Sequence, residues 1–171
     1  IEMTVHTSAG TKLSLSADTP ATFDSTGYEA LTYTLVGEIT DLGEFGREYS
    51  LVTHNPIGNR GTQKYKGSFN EGTMNLTIGF DTDDAGQTLM KTASMSDTPY
   101  SFEVEMQNGD KYYFEAMVMS FKINVGSVDS MTTASVTLEL TTSDDGTGVV
   151  EVLPTPPAPT AKSKSTAKSA D

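Results

Sequence analysis

The sequence predicts a mainly β protein, a β-sandwich of two antiparallel sheets with one flanking α-helix and a long extended loop. Three observations favour this fold class. Apolar and polar residues alternate with a period of two along much of the chain, as in strands with one buried face. Asn108-Gly109 is a strong signal for a two-residue hairpin turn. Only one segment has helical spacing, and a single helix is too few for an alternating α/β fold.

Four short strands are predicted in the first half of the chain, separated by Gly, Asn, Asp and Pro. They cover residues 11–17, 35–40, 49–53 and 73–81. A helix follows, because Ala85, Leu89 and Ala93 recur at intervals of four residues. We expect Asp81 or Thr82 to cap its N-terminus.

The second half predicts a three-stranded antiparallel meander. In its first strand, from Tyr100 to Met106, every second residue is apolar. The Asn-Gly turn leads into a strand over residues 111–124, and both faces of that strand are largely apolar. After a turn at residues 126–130, alternation resumes over residues 131–142.

The segment from Glu44 to Gly72 fits none of these elements apart from one short strand, and it is rich in glycine. Loops of this length inside a compact domain are usually functional or disordered. Within residues 47–70 there are four basic residues and one acidic residue, a local charge of +3 on an acidic protein. We therefore predict that this loop contacts acidic groups of another subunit or ring, through Arg47, Arg60, Lys64 and Lys66.

The 171-residue chain carries a net charge of −12, which argues against proteins that grip nucleic acid or anionic membranes. The composition changes at residue 154, so we predict a domain over residues 1–153 and a flexible tail over residues 154–171, Pro-rich and then rich in Lys, Ser and Ala. The tail holds three Lys and one Asp, which leaves −14 on the domain. Neither a signal peptide nor an apolar run of membrane-spanning length is expected.

No catalytic, metal or cofactor site is expected. The chain has no Cys and only two His, which excludes thiolate chemistry and Cys-based zinc sites. Nothing assembles a nucleophile, a base and an orienting group. The Asp81–Gly86 stretch begins like a calcium-binding EF-hand loop, but Ala85 and Thr92 stand where ligands are needed. Helix capping accounts better for its acidic residues.

Several stretches resemble the tail tube protein, or major tail protein, family of long-tailed, lambda-like bacteriophages (siphophages). The resemblance runs from about Leu35 to Thr142 and depends on the order of loop, strand, helix, hairpin and strand. The stretches that carry it are Gly61-Thr62-Gln63-Lys64-Tyr65-Lys66-Gly67-Ser68-Phe69-Asn70-Glu71-Gly72-Thr73, Asp83-Asp84-Ala85-Gly86-Gln87, Asn108-Gly109-Asp110-Lys111-Tyr112-Tyr113-Phe114-Glu115-Ala116, Val118-Met119-Ser120-Phe121 and Gly126-Ser127-Val128-Asp129.

The resemblance implies a structural virion protein, with no enzymatic activity, that is assembled in the host cytoplasm. Six copies would form a ring, and stacked rings would form a hollow tail tube through which the DNA genome enters the host without specific binding. It also implies a tape measure protein and tail terminator and tip proteins as partners. No membrane binding is expected.

Together with this resemblance, the polar strand faces suggest which acidic residues line the tube. A negative wall would repel the phosphate backbone. We predict that the lumen is lined by some of Glu103, Glu105, Glu115 and Glu139. The alternative reading from sequence is a monomeric immunoglobulin-like binding or adhesion module, or a capsid decoration protein, which would not need the long basic loop.

Overall fold

Ten strands and two helices make up the structure, a computed structural model that describes residues 5–154. The predicted tail, residues 154–171, lies outside the described residues apart from Pro154. The strands are β1 Lys12–Ser16, β2 Thr34–Val36, β3 Ile39–Asp41, β4 Glu48–His54, β5 Gln63–Asn70, β6 Thr73–Gly79, β7 Tyr100–Glu105, β8 Lys111–Asn124, β9 Thr133–Thr141 and β10 Val150–Val152, and the helices are α1 Ser25–Glu29 and α2 Ala85–Ala93.

The main sheet is antiparallel and has the order β2-β1-β7-β8-β9-β6-β3, with β10 paired to the start of β8. The predicted meander is confirmed as β7, β8 and β9. The long β8 links two layers, because β7 pairs with residues 111–116 and β9 with residues 115–124. A register shift between Val118 and Ser120 marks a β-bulge, which bends the strand between the layers.

The two layers enclose one hydrophobic core, so the predicted β-sandwich is confirmed. Apolar residues of β1 and β7 meet those of β6, β8 and β9 in a single buried cluster that includes Leu15, Phe102, Phe114, Leu76 and Leu138. Met90 and Ala93 of α2 close one side of it. The period-two pattern therefore assigned the buried face of β7 and β9 correctly.

The predicted strand over residues 35–40 is wrong in one respect, because it is two strands at opposite ends of the sheet order. Glu38 has a φ of 57°, a left-handed conformation that breaks a strand. Gly37 N–H donates to Asp84 Oδ2 at 3.1 Å. The buried Gln87 side chain ties this break to β6 by donating to the carbonyl oxygens of Gly37 and Gly79.

Three further sequence expectations need correction. Asp84, and not Asp81 or Thr82, caps α2, since its side chain accepts from the Gln87 N–H at 2.7 Å. A second helix, α1, has an N-cap at Asp24. In the region predicted as a long loop, residues 44–72, the expected short strand over residues 49–53 is confirmed as β4, but it pairs with a second strand, β5, that was not predicted.

Candidate functional site

The pair β4–β5 projects from the domain as an independent two-stranded sheet. Its strands bond only to each other within the described residues. Every residue of β4 is exposed, and so is every residue of β5 except the half-buried Gly67. We call β4, β5 and residues 55–62 the exposed hairpin. An isolated two-stranded hairpin is only marginally stable in water, so this one gains stability from any surface that covers it.

The base of the exposed hairpin is fixed to the domain. Arg47 forms an ion pair with Glu71, with Nε donating to Oε1 at 2.8 Å. The Arg47 guanidinium lies 3.9 Å from the centre of the Phe69 ring, and the Phe69 and Tyr49 rings are 5.7 Å apart. Glu71 is buried, and its hydrogen bond raises the pKa of Arg47. Gly148 packs so closely on the Glu71 carboxylate that a Cβ would overlap it.

Beyond this base, the exposed hairpin presents apolar side chains to solvent. Leu51 is 65% exposed and Ile57, in the turn, is fully exposed. Because neighbouring residues of a strand point to opposite faces, Leu51 and Val52 place an exposed apolar side chain on each face of the hairpin. Large apolar side chains grouped in this way mark interaction surfaces. The exposed group is Leu51, Val52, Ile57 and Tyr65.

The four predicted basic residues lie on or beside the exposed hairpin, but their surroundings differ. Arg47 is engaged by Glu71. The Lys66 ammonium lies 4.5 Å from the centre of the Tyr49 ring, a cation–π contact. Arg60, in the turn, and Lys64, opposite Thr53 in the ladder, form no ion pair within residues 5–154. Two of the four cations are therefore available to another molecule.

The four predicted acidic residues all lie on the side of the main sheet opposite the core, since each alternates with core residues. Their environments separate them. Glu103 pairs with Lys111 at 3.3 Å. Glu115 is only 7% exposed, and burial, together with the nearby Asp144 and Asp145, raises its pKa. Glu139 accepts a 2.7 Å hydrogen bond from Thr73, and Glu105 is half-buried.

Residues 18–33, which we call the covering segment, explain this burial. The segment crosses the polar side of β7 and the first half of β8. Tyr28 of α1 stacks on Tyr113 with ring centres 5.5 Å apart, and Ser101 donates to the Asp18 carbonyl oxygen. Burial from both sides thus accounts for the apolar pattern in the first half of β8, whereas Met119 in the second half is 59% exposed. Glu115, one of the four residues predicted to line the lumen, is therefore covered within the single subunit.

The other layer keeps its outer face open. We call β3, β6, β9 and residues 117–124 of β8 the open layer. Its outer face is rich in hydroxyl and amide groups, and Thr137 donates to Asn75 at 3.2 Å. Within the described residues, residues 117–124 pair along one edge only. At the opposite end of the layer, β3 pairs only with β6. The open layer therefore has an available edge on each side.

Neither metal-ligand clusters nor membrane helices are found in the described part. Residues 5–154 contain no group of three or more His, Cys, Asp or Glu placed to hold a metal ion. No helix formed by these residues is both long and apolar enough to span a membrane.

The same fold occurs in subunits of solved tail and baseplate assemblies. A chain of the anti-feeding prophage baseplate, solved by cryo-EM with six-fold symmetrisation, matches 82% of this chain and 94% of its own length, with a TM-score of 0.62 and 9% identity. A chain of the SPP1 tail tube matches 76% of this chain and 72% of its own length, with a TM-score of 0.55 and 17% identity. A chain from the tail of an empty gene transfer agent particle, refined with C6 symmetry, matches 77% of this chain and 91% of its own length, with a TM-score of 0.56 and 12% identity.

These likenesses show that the chain has the fold of phage-type tail tube and baseplate subunits. No protein-family model matches the sequence. No curated protein matches it either.

Proposed function

We propose that this chain is a structural, non-enzymatic subunit of a phage tail tube, located in the virion tail, in which six-membered rings stack into a hollow tube that conducts DNA. The observation that carries the proposal is the exposed hairpin, which has exposed apolar side chains on both faces and no covering partner within the described residues. The shared fold supports the tube in particular, because the similar chains belong to tail and baseplate assemblies.

Ring closure uses the two available edges of the open layer. Residues 117–124 of one copy lie beside β3 of the next, a head-to-tail contact that closes when the rotation per subunit divides a circle. Four strands from each of six copies give 24 strands. At about 4.8 Å between strands, such a barrel is roughly 37 Å across its backbone before strand tilt is included. That width admits duplex DNA together with the wall's side chains.

The outer face of the open layer becomes the lumen wall. Of the four acidic residues predicted from sequence, Glu139 is the one that stands on this layer. Glu103, Glu105 and Glu115 lie on β7 and the first half of β8, where the covering segment packs. The wall then combines hydroxyl groups with the carboxylates of Glu139 and Asp41 and the ammonium of Lys122, since Asp41 lies opposite Thr77 and Lys122 opposite Ser135 on this face. These three side chains leave one net negative charge per subunit, so the wall does not hold phosphate firmly and DNA passes without specific binding.

Stacking uses the exposed hairpin, which reaches the adjacent ring. Its apolar side chains are buried there, and Arg60 and Lys64 meet acidic groups. An exposed ion pair contributes only about 0 to 1 kcal/mol, so the charges fix register and polarity around the ring while apolar burial supplies most of the affinity. Tape measure, terminator and tip proteins would bind the finished tube at its interior and ends.

Electron microscopy of the purified chain at increasing concentration tests the proposal. We expect hollow tubes. The double variant Lys64→Glu/Lys66→Glu should remain soluble and form few or none, while the matched reversal Lys12→Glu/Lys91→Glu, on exposed residues outside the hairpin, should assemble normally. A wild-type chain that stays monomeric at high concentration would favour a binding or decoration module instead.

A further inference from the structure

A cavity of about 340 Å³ opens between the covering segment and the loop that follows β9. Glu115 lies in its wall, and Asp144 lies at its edge on the β9–β10 loop. Phe23 and Pro99 supply apolar wall. The cavity is therefore apolar along part of its wall and carries two carboxylates.

The Glu115 side chain forms no hydrogen bond or ion pair within residues 5–154, although only 7% of the residue is exposed. A buried carboxylate without a partner is costly to keep charged. The raised pKa of Glu115 has the same physical origin, burial first and the carboxylates of Asp144 and Asp145 second. No basic side chain among residues 5–154 pairs with Glu115.

The two nearby loop carboxylates differ in availability. Asp145 is used inside its own loop, where it accepts from Ser143 Oγ at 2.5 Å and from Thr147 N–H at 2.9 Å. Asp144 is exposed and forms no ion pair among the described residues. A cation entering the cavity would therefore meet Glu115 and Asp144 together.

We propose that the Lys64 side chain of a second copy of this chain enters the cavity and pairs with Glu115 and Asp144. This inference rests on the proposed function, since it names the surface that receives the exposed hairpin. The flexible stem of Lys64 packs along Phe23 and Pro99, and its ammonium has three donors for the two carboxylates and a neighbouring hydroxyl.

Lys64 fits this role better than the other three cations of the hairpin region. Arg47 is held by Glu71 and Lys66 lies over Tyr49. Arg60 belongs to the connecting turn, whereas Lys64 is held in the β4–β5 ladder opposite Thr53. A side chain on a fixed backbone loses less conformational entropy when it binds.

The pairing also gives Glu115 a cationic partner, which it lacks among the described residues of the single subunit. Glu115 is largely buried before any partner arrives, so much of its desolvation has already occurred in the subunit. A partner ammonium then gains the attraction of a buried charge without that part of the cost. Replacing Glu115 by Gln should therefore leave the subunit folded while weakening the tube.

Carbodiimide coupling of wild-type tubes tests the contact directly, because it joins an ammonium to a carboxylate only when they touch. We expect mass spectrometry to find Lys64 coupled to Glu115 or Asp144 in tubes and not in dilute subunits. Tubes mixed from isotopically light and heavy chains should show that the coupling joins two copies. The variant Glu115→Gln should raise the critical concentration about tenfold, and the control Glu105→Gln should not.

Tubes in which Lys64 couples only to other residues, with normal assembly of Glu115→Gln, would overturn the inference and leave the proposed function intact. Coupling of Glu115 to Lys162, Lys164 or Lys168 would assign the cavity to the chain's own C-terminal segment and also overturn it. Assembly that needs added Ca²⁺ without Lys64 coupling would assign it to a metal ion. Failure of the wild-type chain to form any tube would refute both proposals.

Discussion

Leu51→Ser on the exposed hairpin should weaken assembly without weakening the subunit. Leu51 is 65% exposed in the subunit, and fully burying a leucine contributes about 1.5 to 3 kcal/mol. Burial of the exposed part in a stacked ring therefore contributes roughly 1 to 2 kcal/mol per subunit. That loss corresponds to a critical concentration for tube formation about 5- to 30-fold higher than that of the wild type.

Sedimentation of polymer over a range of total concentrations measures this quantity, and thermal unfolding of the dilute subunit measures stability. The melting curve should hardly change, because exposed substitutions usually alter the free energy of unfolding by about 0.5 kcal/mol or less. Met95→Ser is the matched control, since Met95 is 79% exposed but lies just after α2, away from the hairpin. Equal critical concentrations for wild type and Leu51→Ser would refute the stacking role of the hairpin.

Three further predictions concern the subunit alone. Glu115→Gln should raise the melting temperature at pH 7, because burial raises the pKa of Glu115 and makes its charged form unfavourable in the folded subunit. The gain should fade as the pH falls from the raised pKa towards the ordinary value of 4.5 and should be absent below it; a constant difference across pH would contradict the prediction. Arg47→Ala should lower the free energy of unfolding in urea titration, because it leaves Glu71 buried without its partner; an unchanged free energy of unfolding would contradict this. Gly86→Ala should be destabilising by about 1 to 3 kcal/mol because its Cβ would lie 2.1 Å from a carbonyl oxygen of β2, whereas Gly58→Ala, with open space around it, should be neutral.

The meander could be predicted from sequence because its signals are local. Period-two alternation identified the buried face of β7 and β9, and Asn108-Gly109 gave the turn. The exposed hairpin could not be recognised in the same way. Neither of its faces is buried in the subunit, so its sequence lacks the alternation that marks a half-buried strand. Its high glycine content is instead typical of a loop.

The candidate site was predictable in part. Clustering of basic residues located the hairpin and its charge, but the sequence did not show that Glu71 engages Arg47. Alternation placed Glu115 and Glu139 on the correct side of the sheet. Alternation does not show what packs over that side. The covering segment buries Glu115 through tertiary contacts between residues that are far apart in the chain.

Cryo-EM reconstruction of the polymer formed by the purified full chain tests the central claim most directly. The account predicts hollow six-fold tubes in which the exposed hairpin is buried against an adjacent ring and Glu139 of the open layer faces the lumen. A polymer in which the hairpin remains in solvent, or a solid fibre without a channel, would contradict it.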